Sequence, residues 1–488
     1  MSGTEIKEHI IGIEQKFPVN QWRIEGVDIW PHIRIKLYIF LLNLDADKPK
    51  LNDSYSSQKG KYGIVKRLLK IPGAIMNALS GLYQFYKKLE PKKIIFFGSH
   101  FHRTRRNGVY FNRFFDPMVD THNLQDEVYM IEFEKIYEKN YNQKAILPLH
   151  QYLNQFKLLK KLNGLFSQSI KENIQLKDYK AFYEELIRDF PAAKNLNISI
   201  EALTLWARKV SRTKGFFSKL FKKTKPEKII FLSYYGYDDL AAAILAAHEL
   251  GIKTIDFQHG PQTNVHMAYS AWTKHPDKPY NIMPIEYWNW DQRSKENIEA
   301  WAKNLLEIKS QIVGNPFVNY LMLEETYTSN RNNILFSLQP MEVEKMFPPN
   351  LINFINTEQF HWILQLHPRS SVNQQDIKAF FQANNINERK YIVQNSSETP
   401  LPNALSKVGC HITHFSGSIL EAVEIGIPTV LIHPLACEIF SDYIDNERVI
   451  FINAGDEDFE TKFKEFLFKE PNFLNKKDKI SKVYNPLT

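Results

Sequence analysis

Four short clusters in this 488-residue chain combine residue types that move protons or hold anions. Gln258-His259-Gly260 follows directly on the apolar run Lys253–Phe257. That spacing sets an imidazole at a strand end, where its pKa range suits a general base and the glycine admits close backbone approach. The other reading of the same histidine is a cap on its own loop. His367-Pro368-Arg369 ends the run His361–Leu366, and a guanidinium fork beside an imidazole suits phosphate oxygens. Phe415-Ser416-Gly417-Ser418 opens the helical stretch Ile419–Ile425, whose first amides and hydroxyls suit a phosphate, although serine is equally an ordinary N-cap. Glu421, one turn in, is placed to accept from ribose hydroxyls. The fourth cluster is His100, His102, Arg103, Arg105 and Arg106 after Lys93–Phe97. So many cations in one strand-end loop predict an anionic ligand, with a solvated basic loop as the alternative.

Other chemistry is disfavoured. His411 and His414 stand three apart on an apolar strand, so alternation turns them to opposite faces, against a shared metal. No metal site and no cofactor are expected. The chain lacks a Walker A loop, a G-x-G-x-x-G turn after a strand, a G-x-S-x-G elbow and the kinase set. Cys410 and Cys437 cannot build a disulfide framework, which fits a reducing, cytoplasmic setting.

The elements that must position these clusters alternate short apolar runs with amphipathic stretches, the pattern of parallel α/β sheets. Lys93–Phe97, Lys228–Leu232 and Lys253–Phe257 read as strands, with Asp238–Leu250 as the helix between the last two. Beyond a Gly-Asn-Pro turn at 314–316, Asn333–Ser337, His361–Leu366, Lys390–Val393, Cys410–Thr413, Thr429–Ile432 and Val449–Ile452 read as further strands. The expected fold is α/β with two Rossmann-like domains, 1–315 and 316–488. Residues 1 to about 90 and about 120 to 210 read as added helices.

A net charge of +8 favours an acidic partner. Positive charge gathers in Lys66–Lys93 and Gly215–Lys228, where Phe, Leu and Tyr alternate with Lys as in interfacial segments; the alternative is the basic outer face of inward-packed helices. No window reaches the roughly 18 to 20 apolar residues of a spanning helix, and the first residues lack the apolar core of a secretory signal. A nucleic-acid partner is not expected, because no zinc-finger spacing or RNP-like motif accompanies the charge.

Taken in order, Gln258-His259-Gly260, Gly314-Asn315-Pro316, His367-Pro368-Arg369 and the Thr413–Ser418 helix start running into Gly426–Ile432 resemble the GT-B glycosyltransferases of bacterial surface-polysaccharide synthesis. The likeness spans roughly residues 228–455. The motifs are similar to those of the Kdo and sialic acid transferases that use CMP-sugars, where an HP pair and a Ser motif hold the donor nucleotide. That implies the donor nucleotide on domain 316–488, with contacts from His367, Pro368, Ser416 and Ser418, and the acceptor on domain 1–315; the chemistry of the neighbouring residues adds Arg369, Gly417 and Glu421 to the donor site. They also look like CDP-glycerol-type polymer transferases, whose HG motif supplies the base, here His259 and Gly260. An acidic D/E-D/E-G base motif is missing.

The resemblance implies metal-independent transfer of a sugar from a nucleotide donor, CMP-sugar favoured, to a polysaccharide or glycolipid acceptor, with an anionic membrane surface as a further partner. His259 takes the acceptor proton if the reaction inverts, or contacts the donor if it retains. His367 helps the leaving phosphate, and Gln258, Gly260, His100, Arg103, Arg105 and Arg106 face the acceptor or an anion. A nucleotide-sugar 2-epimerase, a polyol-phosphate transferase and a non-catalytic peripheral-membrane protein remain the alternatives.

Overall fold

The computed structural model describes residues 1–44, 71–133, 136, 138–164, 173–324, 330–367, 370–396, 398–445 and 447–468. Two parallel sheets organise them, and the chain is α/β with two Rossmann-like domains, as expected. The first sheet comprises β1 (Ile94–Ser99), β2 (Val128–Phe133), β3 (Ile146–Pro148), β4 (Lys228–Leu232), β5 (Lys253–Phe257), β6 (Glu286–Asn289) and β7 (Lys309–Ile312). Their order is β7-β6-β5-β4-β1-β2-β3, every pair parallel. The second comprises β8 (Asn330–Ser337), β9 (His361–Leu366), β10 (Tyr391–Asn395), β11 (Val408–Thr413), β12 (Thr429–Leu431) and β13 (Val449–Phe451), in the order β10-β9-β8-β11-β12-β13, again all parallel.

Both orders reverse direction once, between β1 and β4 and between β8 and β11. At such a switch point two successive connections leave toward opposite faces and open a crevice beyond the carboxyl ends of the strands. Interior strands are near-continuous apolar runs because helices cover both faces. Their alternation divides the first sheet between two cores. Ile95, Phe97, Ile229 and Phe231 face a large core shared with the N-terminal helices. Ile94, Phe96, Ile230, Leu232, Ile255 and Phe257 face a core that also takes Ile419, Leu420, Leu431, Phe440 and Tyr443 from the second domain. One apolar cluster thus crosses between the sheets. Polar bonds reinforce it: Asn264 Nδ2 donates to Asp442 Oδ1 at 2.7 Å, and the Tyr443 hydroxyl donates to Asp291 Oδ2 at 2.7 Å.

Four strands of the first parallel sheet escape the sequence reading for physical reasons. β3 ends in Pro148, tolerated because the strand lies at a sheet edge, and β7 (KSQI) is polar because it forms the other edge. β6 (EYWN) begins and ends polar. β2 carries Glu132 in its interior, neutralised by Arg103 at 2.5 Å. The stretch from 120 to 210 is therefore not helical decoration alone.

The added helices carry their own lock. Gly3–Lys16 starts on a Ser2/Glu5 capping box, and Trp30–Leu42 crosses it. Between them Arg34 Nε meets Glu14 Oε1 at 2.8 Å, both fully buried. Trp30 Nε1 donates to the same oxygen, while the Thr273 amide and hydroxyl donate to the other. Three longer helices cover the outer face: α1 (Ile71–Lys87), α2 (His150–Gly164) and α3 (Ile200–Thr224). α4 (Asp238–Glu249) connects β4 to β5, and α5 (Ser418–Ile425) connects β11 to β12.

Candidate functional site

The carboxyl end of β5 leads into Gln258-His259-Gly260-Pro261. Gln258 is fully buried. Its amide donates to Trp288 O, its Nε2 donates to Gly260 O and Ser294 Oγ, and its Oε1 accepts from Trp290 N at 2.7 Å. This side chain, with both amide protons spent and no exposed surface, clamps the loop, so the structure gives Gln258 a positioning place rather than one facing an acceptor. His259 stands half-buried on the clamped loop, its Nδ1 buried without a hydrogen-bond partner. Desolvation, then the nearby Arg113 cation, lowers its pKa to about 4. The ring is therefore neutral at physiological pH, the form that accepts a proton.

The cationic loop after β1 is an ordered hairpin, Arg103–Arg106 against Val109–Asn112, turned by Asn107-Gly108 with both residues at positive φ. Folding divides its cations. Arg103 is buried, paired with Glu132 and, at 3.4 Å, with Asp116, so it is a structural ion pair rather than an anion receptor. Arg106 lies over the rings of Phe111 and Tyr320, at 5.4 and 5.0 Å from their centroids. Arg105 is exposed on the hairpin, and His100 opens the turn that leads into it. His102 is buried, its Nδ1 accepting from Ser99 N at 3.2 Å, and its ring lies 6.1 Å from that of His259. Burial, then His259, Arg113 and His100, hold its pKa well below the usual range.

Across the domain crossing, α5 starts on the loop that contains Ser416 and Gly417. A Cβ on Gly417 would come within 3.3 Å of Pro261, so this glycine allows the helix start to lie against the His259 loop. Ser416 Oγ accepts from Ser418 N at 3.2 Å. Ser418 is buried, and its hydroxyl hydrogen-bonds with His411 Nε2 at 3.2 Å. The same nitrogen meets Ser337 Oγ at 3.0 Å, and Nδ1 meets Thr429 Oγ1 at 3.3 Å. His411 thus ties α5 to β8 and β12. Ser418 is a strut of that tie, in place of the donor contact expected of it, and Ser416 and Gly417 form the half-exposed rim.

Glu421 points its charge toward the same place. Burial raises its pKa, opposed by the Arg113 cation and a hydrogen bond from Asn315. Glu424, one turn on, is raised to about 8, first by burial and then by Glu421 and Asp291, against the 2.8 Å bond from Asn315 N to its Oε1. Asn315 Oδ1 also caps the helix Pro316–Glu324, accepting from Phe317 N at 3.1 Å. Gly314, at φ 72°, packs against Glu424.

The structure therefore brings together His259, Gly260, Ser416, Gly417 and Glu421, with Arg113 acting electrostatically on His259 and His102 from one domain and on Glu421 from the other. Arg113 was not legible as a site residue. It follows the hairpin, its amide donates to His102 O, and only folding carries it to the crossing. Asn315 was visible only as part of a turn. His367 ends β9, one strand away from the β8/β11 switch point, while Pro368 and Arg369 lie outside the described residues. Among the described residues no group of three His, Cys, Asp or Glu side chains is arranged to hold a metal ion. This geometry supplies a cation and a helix start for an anion, a neutral imidazole for a proton, and a carboxyl beside both.

No protein-family model matches the sequence, and comparison with curated proteins finds no match. Among solved structures the chain is similar to the UDP-GlcNAc 2-epimerase of Methanocaldococcus jannaschii, at 12% identity and a TM-score of 0.42, over 77% of this chain and 93% of that one. It is similar at 12% identity and a TM-score of 0.39 to a UDP-glucosyltransferase of Polygonum tinctorium, over 78% and 90% of the two chains. Acinetobacter baumannii MurG gives 12% identity and a TM-score of 0.39 over 77% and 91%. At such low scores these likenesses carry no argument about chemistry.

Proposed function

We propose that this chain is a glycosyltransferase that moves a sugar from a nucleotide-activated donor, a CMP-sugar in the first instance, to a polysaccharide or glycolipid acceptor. The observation that carries the reading is the contact of the His259 loop with the α5 start, with Arg113 acting on both sides. The donor phosphate sits against Arg113 and the rim at Ser416-Gly417, where a guanidinium and helix-start amides offset the charge that grows on the leaving oxygen. The acceptor hydroxyl attacks the anomeric carbon, the bond from that carbon to the phosphate oxygen breaks, and His259 takes the hydroxyl proton. Bound phosphate neutralises Arg113 in effect, which removes one cause of the low His259 pKa and makes the ring a better base.

Glu421 and Glu424 favour a second reading. Two carboxyls with raised pKa values on the helix whose start abuts the loop of a neutral imidazole are groups suited to shuttling a proton on and off a sugar carbon, as a nucleotide-sugar 2-epimerase requires. One experiment separates them. The purified chain is screened by thermal shift against CMP, CDP, UDP and GDP, and the sugar nucleotide of the stabilising base is incubated with and without a glycan acceptor. Transfer requires acceptor and releases the nucleotide; epimerisation interconverts the sugar nucleotide without one. A chain stabilised by none of the four nucleotides contradicts both readings.

A further inference from the structure

The outer face of the first domain combines two properties found together nowhere else among the described residues. Helices α1, α2 and α3 carry eleven Lys and Arg residues against one carboxylate, Glu201, a net +10 on three helices of a chain whose total is +8. The rest of the sequence is therefore slightly negative in sum, so these helices are strongly enriched in positive charge. The same helices carry six of the eleven large apolar side chains exposed among the described residues: Met76, Leu79 and Tyr83 on α1, Leu158 on α2, and Ile200 and Leu205 on α3.

Local geometry makes the layer a surface. On α1 the inward face is Ala78, Leu82, Phe85 and Tyr86, and Gly81 lets the helix approach Gln155 of α2 closely. The outward face repeats at i, i+3 and i+7 as Met76, Leu79 and Tyr83, which are 66%, 51% and 63% exposed, and Lys87 follows one turn later. Between α2 and α3 runs an open groove of about 330 Å³ lined by Phe156, Lys157, Lys160, Leu205, Arg208 and Arg212 among others. Lys157 and Lys209 are neutralised there by Asp239 and Asp238 of α4, whereas Lys160 lies over the Phe156 ring with its stem on apolar surface. Of the two basic segments singled out in the sequence, Gly215–Lys228 turns its rings inward: Phe216, Phe217, Leu220 and Phe221 are buried in the core, and Lys219, Lys222, Lys223 and Lys225 face out with Glu227. In Lys66–Lys93 the first five residues lie outside the described residues, and the apolar stripe of α1 is what remains.

We infer that this three-helix layer is the face by which the protein docks on an anionic lipid bilayer, the stripe of α1 entering the headgroup boundary while the cations of α2 and α3 meet lipid phosphates. Charge complementarity sets the class of partner. Within the exposed stripe, Met76 and Leu79 select a bilayer over a nucleic acid, whose surface offers such side chains nothing to bury in. This docking is independent of the reaction at the domain crossing.

The test is co-sedimentation of the full chain with vesicles of phosphatidylcholine alone or mixed with phosphatidylglycerol, at low and raised salt, beside retention on heparin. The expected result is binding to the mixed vesicles only, lost as salt rises. Lys160→Glu with Arg212→Glu lowers the partition coefficient by at least tenfold, at about fivefold per cation. Leu79→Ser with Tyr83→Ser weakens vesicle binding and leaves heparin retention unchanged. Because all four positions are exposed, melting temperatures stay at the parent value, which separates lost docking from lost fold. Absence of vesicle binding at low salt, equal binding to neutral vesicles, or indifference to the charge reversals overturns the inference. So does self-association abolished by Leu79→Ser, which would make the stripe an interface between copies of the chain.

Discussion

The two sheets share one strand order, yet their crevices are built in opposite ways, and His411 and His259 display the contrast. His411, in β11, has both ring nitrogens bonded, to Ser337, Ser418 and Thr429, and burial lowers its pKa to about 3. His259, beyond β5, has an unpartnered Nδ1, a half-buried ring and a cation for a neighbour. Both imidazoles are neutral at physiological pH. Burial makes both neutral, but His411 is saturated and inert, whereas His259 keeps an open nitrogen and has the Arg113 cation as a second cause of its low pKa. Topology supplies two equivalent crevices, and hydrogen-bond saturation distinguishes the strut from the reactive group.

Substitutions on the two sides should therefore fail differently. The largest effect is expected from His259→Ala, which removes the proposed base: transfer falls by about 10² to 10⁴ while the melting temperature and nucleotide affinity stay near the parent values, as read on one preparation by donor consumption, calorimetry and thermal melting. Normal turnover with a lowered melting temperature would instead place His259 with His411 among the struts. Arg113→Gln comes next. Loss of a charge-assisted contact of ~1.5–3 kcal/mol weakens nucleotide binding by about one to two orders of magnitude, and the histidine titration of the free protein moves upward as the cation is removed.

His411→Ala should do the converse. Three hydroxyls lose their partner at a cost of about 1–3 kcal/mol, seen as a lower denaturation midpoint, while nucleotide affinity of the folded protein changes little. Its pH signature has a definite sign. The folded pKa of His411 lies below its ordinary 6.5, so the unfolded chain binds the extra proton and native stability falls as pH drops from 6.5 toward about 3; the Ala variant loses that part of the slope. Ser418→Ala gives the smallest change, about 1 kcal/mol, with turnover preserved, because its hydroxyl serves His411.

How much the sequence discloses follows the same division. The interior strands β1, β4, β5, β9, β11 and β12 are apolar runs and can be read, whereas the edges β3 and β7 are polar or carry proline because one side of each is unpaired. His259 is legible because a strand end marks it. Gln258, Arg103 and Ser418 are misread for a common reason: amides, guanidinium groups and hydroxyls suited to a ligand are equally suited to satisfying buried neighbours, and only packing decides. Arg113 is illegible because nothing local distinguishes it from any cation beside a hairpin; its role arises where the hairpin, the His259 loop and α5 meet. The lock of Glu14 and Arg34 onto Thr273 and Ser270 is hidden likewise, since it joins residues more than 230 positions apart.

A nucleotide phosphate that enters beside Arg113 should change the proton affinity of His259. This is tested most directly by calorimetric titration of the stabilising nucleotide at pH 5.5 in two buffers of different ionisation enthalpy, on the parent chain and on His259→Ala. Binding to the parent should take up protons, because the phosphate offsets the Arg113 cation and raises the His259 pKa from about 4 toward the pH of the experiment, and this uptake should fall away in His259→Ala while binding persists. Binding with no proton uptake in the parent, or with the same uptake in the variant, would contradict it.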